Sequence, residues 1–210
     1  MGEARVVERD VQIFKELERW RIVLGRHIEA LAGFEGQKAC ERRLRKLIEA
    51  GYIERKRILY GVPGIYSNTA KAKMLIQAPS RQDKFRVEQI PHDIAVTETA
   101  IYFHKAKGIP WEAITTEKQL HGLDGFGTRK HRPDFVFTRD DKTYCVEVEL
   151  SLKAKVRLEA NIKANFMAYD FQIWIVPDKA CKIYQILTDN RNQYQDSIFI
   201  LELQEVQKHA

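Results

Sequence analysis

Apolar positions recur at helical spacing through most of the first fifty residues. In VVERDVQIFKELERW (residues 6–20), Val7, Val11, Phe14, Leu17 and Trp20 fall on one side of a helix. VLGRHIEALAG repeats the rhythm over residues 23–33 and ends at Gly33, a residue suited to a helix C-terminus. GQKACERRLRKLIEAGY (36–52) turns Cys40, Leu44, Leu47 and Ile48 inward, with Gly51 as its stop. The period then changes. YIERKRILYGVPGIYSNT (52–69) contains two β-rich runs around the turn signal GVPG, which predicts a hairpin. Residues 77–91 hold Pro79, Ser80 and Pro91 among mixed charges without a sustained period and are expected to link two domains, 1–76 and 92–210.

The second part alternates helical and β patterns. HDIAVTETAIYFHKAKG (92–108) predicts a helix from Asp93 to Gly108, with Glu98 beside the apolar positions Ile94 and Ile101. An acid so placed is either at the wet edge of the helix or aimed at something inside. WEAITTEKQL (111–120) is expected to be a strand and HGLDGFGTRKHR (121–132) a glycine-rich basic loop. That loop lacks the Lys-Ser/Thr ending of a phosphate-binding loop. PDFVFTRD and KTYCVEVEL predict two strands joined by a turn at Asp140-Asp141. A long helix follows over 151–170, then the strand FQIWIVP, with CKIYQIL and SIFILELQEV as further short β candidates. Overall this predicts α+β or α/β architecture, a mixed sheet flanked by helices behind a three-helix-plus-hairpin module.

Charge divides the two parts. Residues 1–90 carry 19 Lys+Arg against 12 Asp+Glu, and residues 91–210 carry 16 against 17, so the whole excess of +6 belongs to the first part. That asymmetry fits a polyanion partner or, less specifically, a basic solvated surface. Three helices and a basic hairpin describe a winged helix-turn-helix. Its third helix would present Gln37, Lys38, Arg42 and Arg43 to base edges and phosphates, with Arg55, Lys56 and Arg57 on the first hairpin strand holding the backbone. Double-stranded DNA is therefore the expected partner. No apolar run approaches the ~20 residues that span a bilayer, and MGEARVVERD has no signal-peptide core, so a cytoplasmic protein is expected. Cys40, Cys145 and Cys181 have no CxxC spacing and are read as reduced thiols. Trp111 and Trp174 are read as packing residues, and His92 and His131 as surface or hydrogen-bonded core histidines that could alternatively assist a metal site or contact phosphate.

The chemistry lies in HRPDFVFTRDDKTYCVEVELSLK (131–153). Strand alternation puts Val146, Val148 and Leu150 on one face and Cys145, Glu147 and Glu149 on the other. Two carboxylates on one strand face repel unless a cation lies between them. Across an antiparallel hairpin, side chains approach to ~5 Å, so Asp134 can meet Glu147 and Glu149. Hard oxygen ligands of this kind suit Mg²⁺, or Mn²⁺ in its place. Lys153 could orient a water or neutralise developing charge, and Glu98 could supply a fourth acid.

Pro133-Asp134, a gap of a dozen residues, and Glu147-Val-Glu149 with a nearby lysine resemble the PD-(D/E)XK nuclease pattern. The place two residues after the second acid, usually lysine, is Glu149 here. Lys153 is then either a relocated lysine or the first turn of the next helix. With the N-terminal module, "HDIAVTE", "RPDFVF" and "VEVELSLK" make the chain similar to the replication-relaxation family of bacterial plasmids and other mobile elements. The resemblance implies a DNA-binding protein with a restriction-endonuclease-like domain and leaves room for a homodimer. Glu98, Asp134, Glu147, Glu149 and Lys153 would be its catalytic residues and the middle three its metal ligands. It implies either a metal-dependent DNA endonuclease that nicks or cleaves, or a non-enzymatic regulator of replication, transfer or transcription. No organic cofactor is implied.

Overall fold

The first helix, α1 (Glu8–Arg19), starts where Asp10 reaches back to accept a hydrogen bond from Val7 N at 2.8 Å. The chain is described here from a computed structural model covering residues 5–58, 60–79, 86–124, 131–152, 154–194 and 196–209. The buried face of α1 is Asp10, Ile13, Phe14, Glu16 and Leu17, whereas Val7 is exposed. The apolar stripe is thus rotated from the one expected through Val7, because a buried ion pair at Asp10 takes its place. α2 (Gly25–Leu31) and α3 (Gln37–Glu49) follow, with Gly33 and Gly51 both at positive φ just past the helix ends. Cys40, Leu44 and Leu47 are buried as the period predicts, while Ile48 is exposed. β1 (Ile53–Lys56) and β2 (Ile65–Asn68) pair antiparallel around the predicted turn, and a short helix, α4 (Ala70–Leu75), succeeds them.

The chain divides into two compact units, 1–97 and 98–210. The division falls inside α5 (Ile90–Lys107), which is preceded by a single turn, Val87–Gln89. Ile90 belongs to the first unit's core with Ile22, Leu24 and Ile65, and Thr97 Oγ1 donates to Ile22 O at 3.0 Å. These contacts carry the first unit beyond the segment expected to be a linker, of which residues 80–85 lie outside the described residues.

The second unit is mixed α and β around a five-stranded sheet in the order β3-β4-β5-β6-β7: Ile114–Thr116, Phe135–Arg139, Lys142–Val148, Phe171–Val176 and Ile198–Glu202. β4 pairs antiparallel with both β3 and β5, and β5, β6 and β7 run parallel to one another. The β4–β5 turn is the one predicted, with Asp140 and Asp141 both left-handed. The parallel connections run through α7 (Lys155–Ala168) and α8 (Lys182–Asn190). Leu158 and Ile162 of α7 and Ile183 and Leu187 of α8 bury Trp174 and Val176 of β6. On the opposite face, Phe103 of α5 packs on Phe135 and Phe137 with ring centroids 6.2 and 5.2 Å away. The chain closes with α9 (Leu203–Gln207).

Three expectations are corrected. SIFILELQEV is strand only over Ile198–Glu202, and its last four residues enter helix α9. Only three residues of WEAITTEKQL form a strand; Trp111–Ala113 is a helical turn and Glu117–Leu123 is helix α6. A capping box overrides the β-branched run: Thr116 accepts from Gln119 N, and Gln119 Oε1 accepts from Thr116 N at 2.9 Å. Thr116→Ala is expected to lower the unfolding free energy by about 1 kcal/mol, measured by urea denaturation. CKIYQIL is helical rather than β, because Cys181 caps its N-terminus and Ile183 and Leu187 repeat at the spacing of one helix face.

Candidate functional site

Two regions hold the residues singled out by the sequence. In the first unit, α3 exposes Gln37, Lys38, Arg42, Arg45 and Lys46. Gln37 Nε2 donates to Glu41 Oε1 one turn on, at 2.8 Å. Arg43 points elsewhere. Its Nε donates to Asp10 Oδ1 at 2.7 Å, and its Nη2 bonds both Asp10 Oδ2 and, at 2.9 Å, Arg5 O. Asp10 is fully buried, so Arg43 completes an internal ion pair that ties α3 to α1. The hydrogen bond to Asp10 holds the Arg43 guanidinium above its ordinary pKa.

Alternation along β1 separates the three basic hairpin residues. Arg55 lies over the Tyr66 ring, 5.8 Å from its centroid. Lys56 instead pairs with Glu54 at 2.7 Å, and Glu54 also accepts from Ser67 Oγ. The lysine hydrogen bond pulls the Glu54 carboxyl below its ordinary pKa. Arg55, Lys56 and Arg57 are all exposed.

In the second unit the β4–β5 register sets Phe135 against Val146, which places Asp134 opposite Glu147 at the hairpin's open end. Asp134 Oδ2 accepts from Val148 N at 2.7 Å. Glu147 is buried on the sheet face that carries Trp174, its neighbour in register on β6. Its Oε1 receives Asn165 Nδ2 from α7 at 2.9 Å and meets His131 Nε2 at 2.7 Å. Burial pushes the Glu147 carboxyl up, against the pull of the His131 hydrogen bond, and Asp134 nearby adds to the rise. Burial alone would lower His131, but the hydrogen bond and charge of Glu147 outweigh it and hold the imidazole above its ordinary value. The pair therefore retains a proton more tightly than either group does in water.

Glu149 lies one residue past β5, half-buried, with its N–H bonded to Ile175 O at 2.9 Å. Glu98 is buried on α5 and accepts from Gln207 Nε2 at 2.9 Å. Lys153 and residues 125–130 of the glycine-rich loop lie outside the described residues. The structure thus brings together Asp134, Glu147, His131 and Asn165. The carboxylates have the donor chemistry for a hard cation. Yet no group of three or more His, Cys, Asp or Glu among the described residues is arranged to hold a metal ion.

Asn165 had no sequence signal, since an Asn in a helix announces nothing about what it faces. His131 was visible, and its place at the start of the quoted motif was the only clue. No family model matches the chain, and no curated protein does. No helix among the described residues is long and apolar enough to cross a membrane.

Proposed function

We propose that the chain is a double-stranded-DNA-binding protein, its first unit a winged helix-turn-helix and its second a restriction-endonuclease-like domain with Mg²⁺- or Mn²⁺-dependent endonuclease activity. This is the composition expected of a replication-relaxation protein of a plasmid or other mobile element. The observation that carries the DNA reading is the exposed face of α3, Gln37, Lys38, Arg42, Arg45 and Lys46, on a unit that also bears Arg55 and Arg57 on its hairpin. Cationic side chains on an exposed helix face neutralise phosphates, and its polar ones can reach base edges. The nuclease reading is supported by Asp134 opposing Glu147 at the mouth of the β4–β5 hairpin, with Glu149 just beyond. A bound Mg²⁺ would polarise a phosphoryl oxygen and activate water. Asp134, Glu147 and Glu149 would hold it once drawn together, since as they stand the three are not arranged around an ion and Glu147 Oε1 is engaged by His131 and Asn165.

Supercoiled plasmid incubated with the full chain and Mg²⁺ or Mn²⁺ is expected to be nicked or cleaved. Asp134→Ala and Glu147→Ala are each expected to abolish the reaction. No metal-dependent nicking, or nicking by both variants at the wild-type level, removes the enzymatic part of the proposal. A second reading, a non-enzymatic DNA-binding regulator, is favoured by one contact: Glu147 Oε1 is already engaged by His131 and Asn165. On that reading the plasmid is bound but never nicked.

A further inference from the structure

We infer that the groove between α3 and the β1–β2 hairpin clasps the sugar–phosphate backbone of duplex DNA through Arg26, Arg45 and Arg55. The inference rests on the DNA-binding reading above, keeps Arg55 and Arg45, adds Arg26 from α2, and removes Lys56 and Arg57 from the backbone contact. The groove has a volume of about 560 Å³, and its polar lining is Arg26, Gln37, Glu41, Arg45, Arg55 and Tyr66. Each arginine comes from a different element: α2, α3 and β1. Glu41 is the one carboxylate among the described lining residues, and it accepts the Gln37 amide. The balance is therefore cationic.

Arg55 is held in place by its surroundings. A Cβ at Gly64 would lie 2.5 Å from Arg55 Nε and 2.7 Å from its Cγ, so only glycine lets this side chain cross the hairpin. The Tyr66 ring lies beneath the guanidinium, and its far edge abuts α2, where a Cβ at Gly25 would sit 3.5 Å from Tyr66 Cε2. Tyr66 thus packs between the start of α2, next to Arg26, and the strand that carries Arg55. A guanidinium fixed in this way loses less side-chain freedom on meeting a phosphate, whose oxygens match its paired N–H groups. Lys56 is excluded from the clasp, since strand alternation turns it to the other face, where Glu54 compensates its charge.

The test is fluorescence anisotropy of a labelled mixed-sequence duplex bound by the full chain over a series of KCl concentrations. Each phosphate contact contributes about 0.9 to the salt slope, so Arg26→Ala, Arg45→Ala and Arg55→Ala together are expected to flatten it by about 2.7. Between 50 and 200 mM KCl the wild type then loses about 40-fold more affinity than the triple variant. Lys56→Ala is expected to leave the slope unchanged. Gly64→Ala keeps every charge but displaces Arg55, and is expected to reproduce the slope of Arg55→Ala. All three arginines are exposed, so the variants should retain the wild-type circular dichroism; Arg26→Ala alone, expected to lower the slope by about 0.9, decides the matter if the triple variant does not. A folded triple variant with the wild-type slope overturns the clasp and leaves DNA binding standing. A Lys56→Ala effect equal to that of Arg55→Ala overturns the assignment to the groove. Wild type that binds no duplex overturns both readings. Poly-L-glutamate competing as well as the duplex would assign the groove to an acidic protein and overturn the clasp.

Discussion

Arg43→Ala is expected to destabilise the first unit by about 3–5 kcal/mol, the usual cost of removing one partner from a buried ion pair. Asp10 would remain fully buried without its guanidinium, although it would still accept from Val7 N. That residual bond caps α1 but leaves the other oxygen without its charged donor. The neighbouring Arg42 is exposed, and Arg42→Ala is expected to shift stability by no more than about 0.5 kcal/mol. Urea denaturation followed by circular dichroism at 222 nm measures both. Replacing the pair by leucines, Asp10→Leu with Arg43→Leu, should recover much of the loss, because two packed apolar side chains remove the desolvation cost. Equal, small effects at Arg42 and Arg43 would mean that the Asp10 contact carries no weight. The consequence for function is specific. Loss of DNA binding by Arg43→Ala should track the unfolded fraction, and the salt slope of the folded protein should stay at its wild-type value.

His131→Ala is expected to make the second unit strongly pH-sensitive. In the wild type, both His131 and Glu147 bind their proton more tightly folded than unfolded. Below about pH 4.5, where glutamate is protonated in either state, burial of Glu147 carries no charge penalty. The stability that His131 gains from Glu147 is fully present below about 6.5, its unfolded value. As pH rises through the folded values of the pair, the folded state releases protons that the unfolded state has already lost, so stability falls. The wild-type thermal midpoint is therefore expected to decline as pH rises from about 4.5 through about 7, the folded value of Glu147, and on past about 6.5, where unfolded His131 loses its proton. Without His131, ionised Glu147 keeps only the Asn165 amide of these two partners. A buried charge deprived of its charged partner costs about 3–5 kcal/mol, so the loss should appear near neutral pH and shrink as the carboxyl protonates in mild acid. Tryptophan fluorescence during thermal melts measures this, since Trp174 lies in the core beside β5. A pH-independent effect of His131→Ala would show that the imidazole acts by packing and not by charge.

Much of the fold was legible because local chemistry and tertiary demand agree. Gly33, Gly51 and Gly108 end helices at positive φ where the pattern stopped, and Asp140-Asp141 turns the hairpin whose strands alternate in TYCVEVEL. The mixed sheet needs the β4–β5 turn and two helical crossovers; the turn and the first crossover, α7, are readable as spacing, whereas the second, α8, lies in a run that reads as β. Where short β-branched runs were read alone, capping decided otherwise: Thr116 and Cys181 each begin a helix within a stretch that looked extended.

By itself, the sequence determined the order of most elements, the division of charge between the two parts, and the opposition of Asp134 to Glu147. Those depend on period, turn chemistry and strand register, which are local. Only the tertiary structure decided which partner each charged group meets. Arg43 and Arg42 are adjacent and chemically alike, yet one is spent on Asp10 inside the unit while the other stays exposed. Lys56 and Arg55 are separated by the strand pleat, and Glu147 finds His131 sixteen residues before it and Asn165 eighteen after it. Pairing a charge is a matter of distance and desolvation, and both are fixed by elements far apart in the chain, where no local period records them.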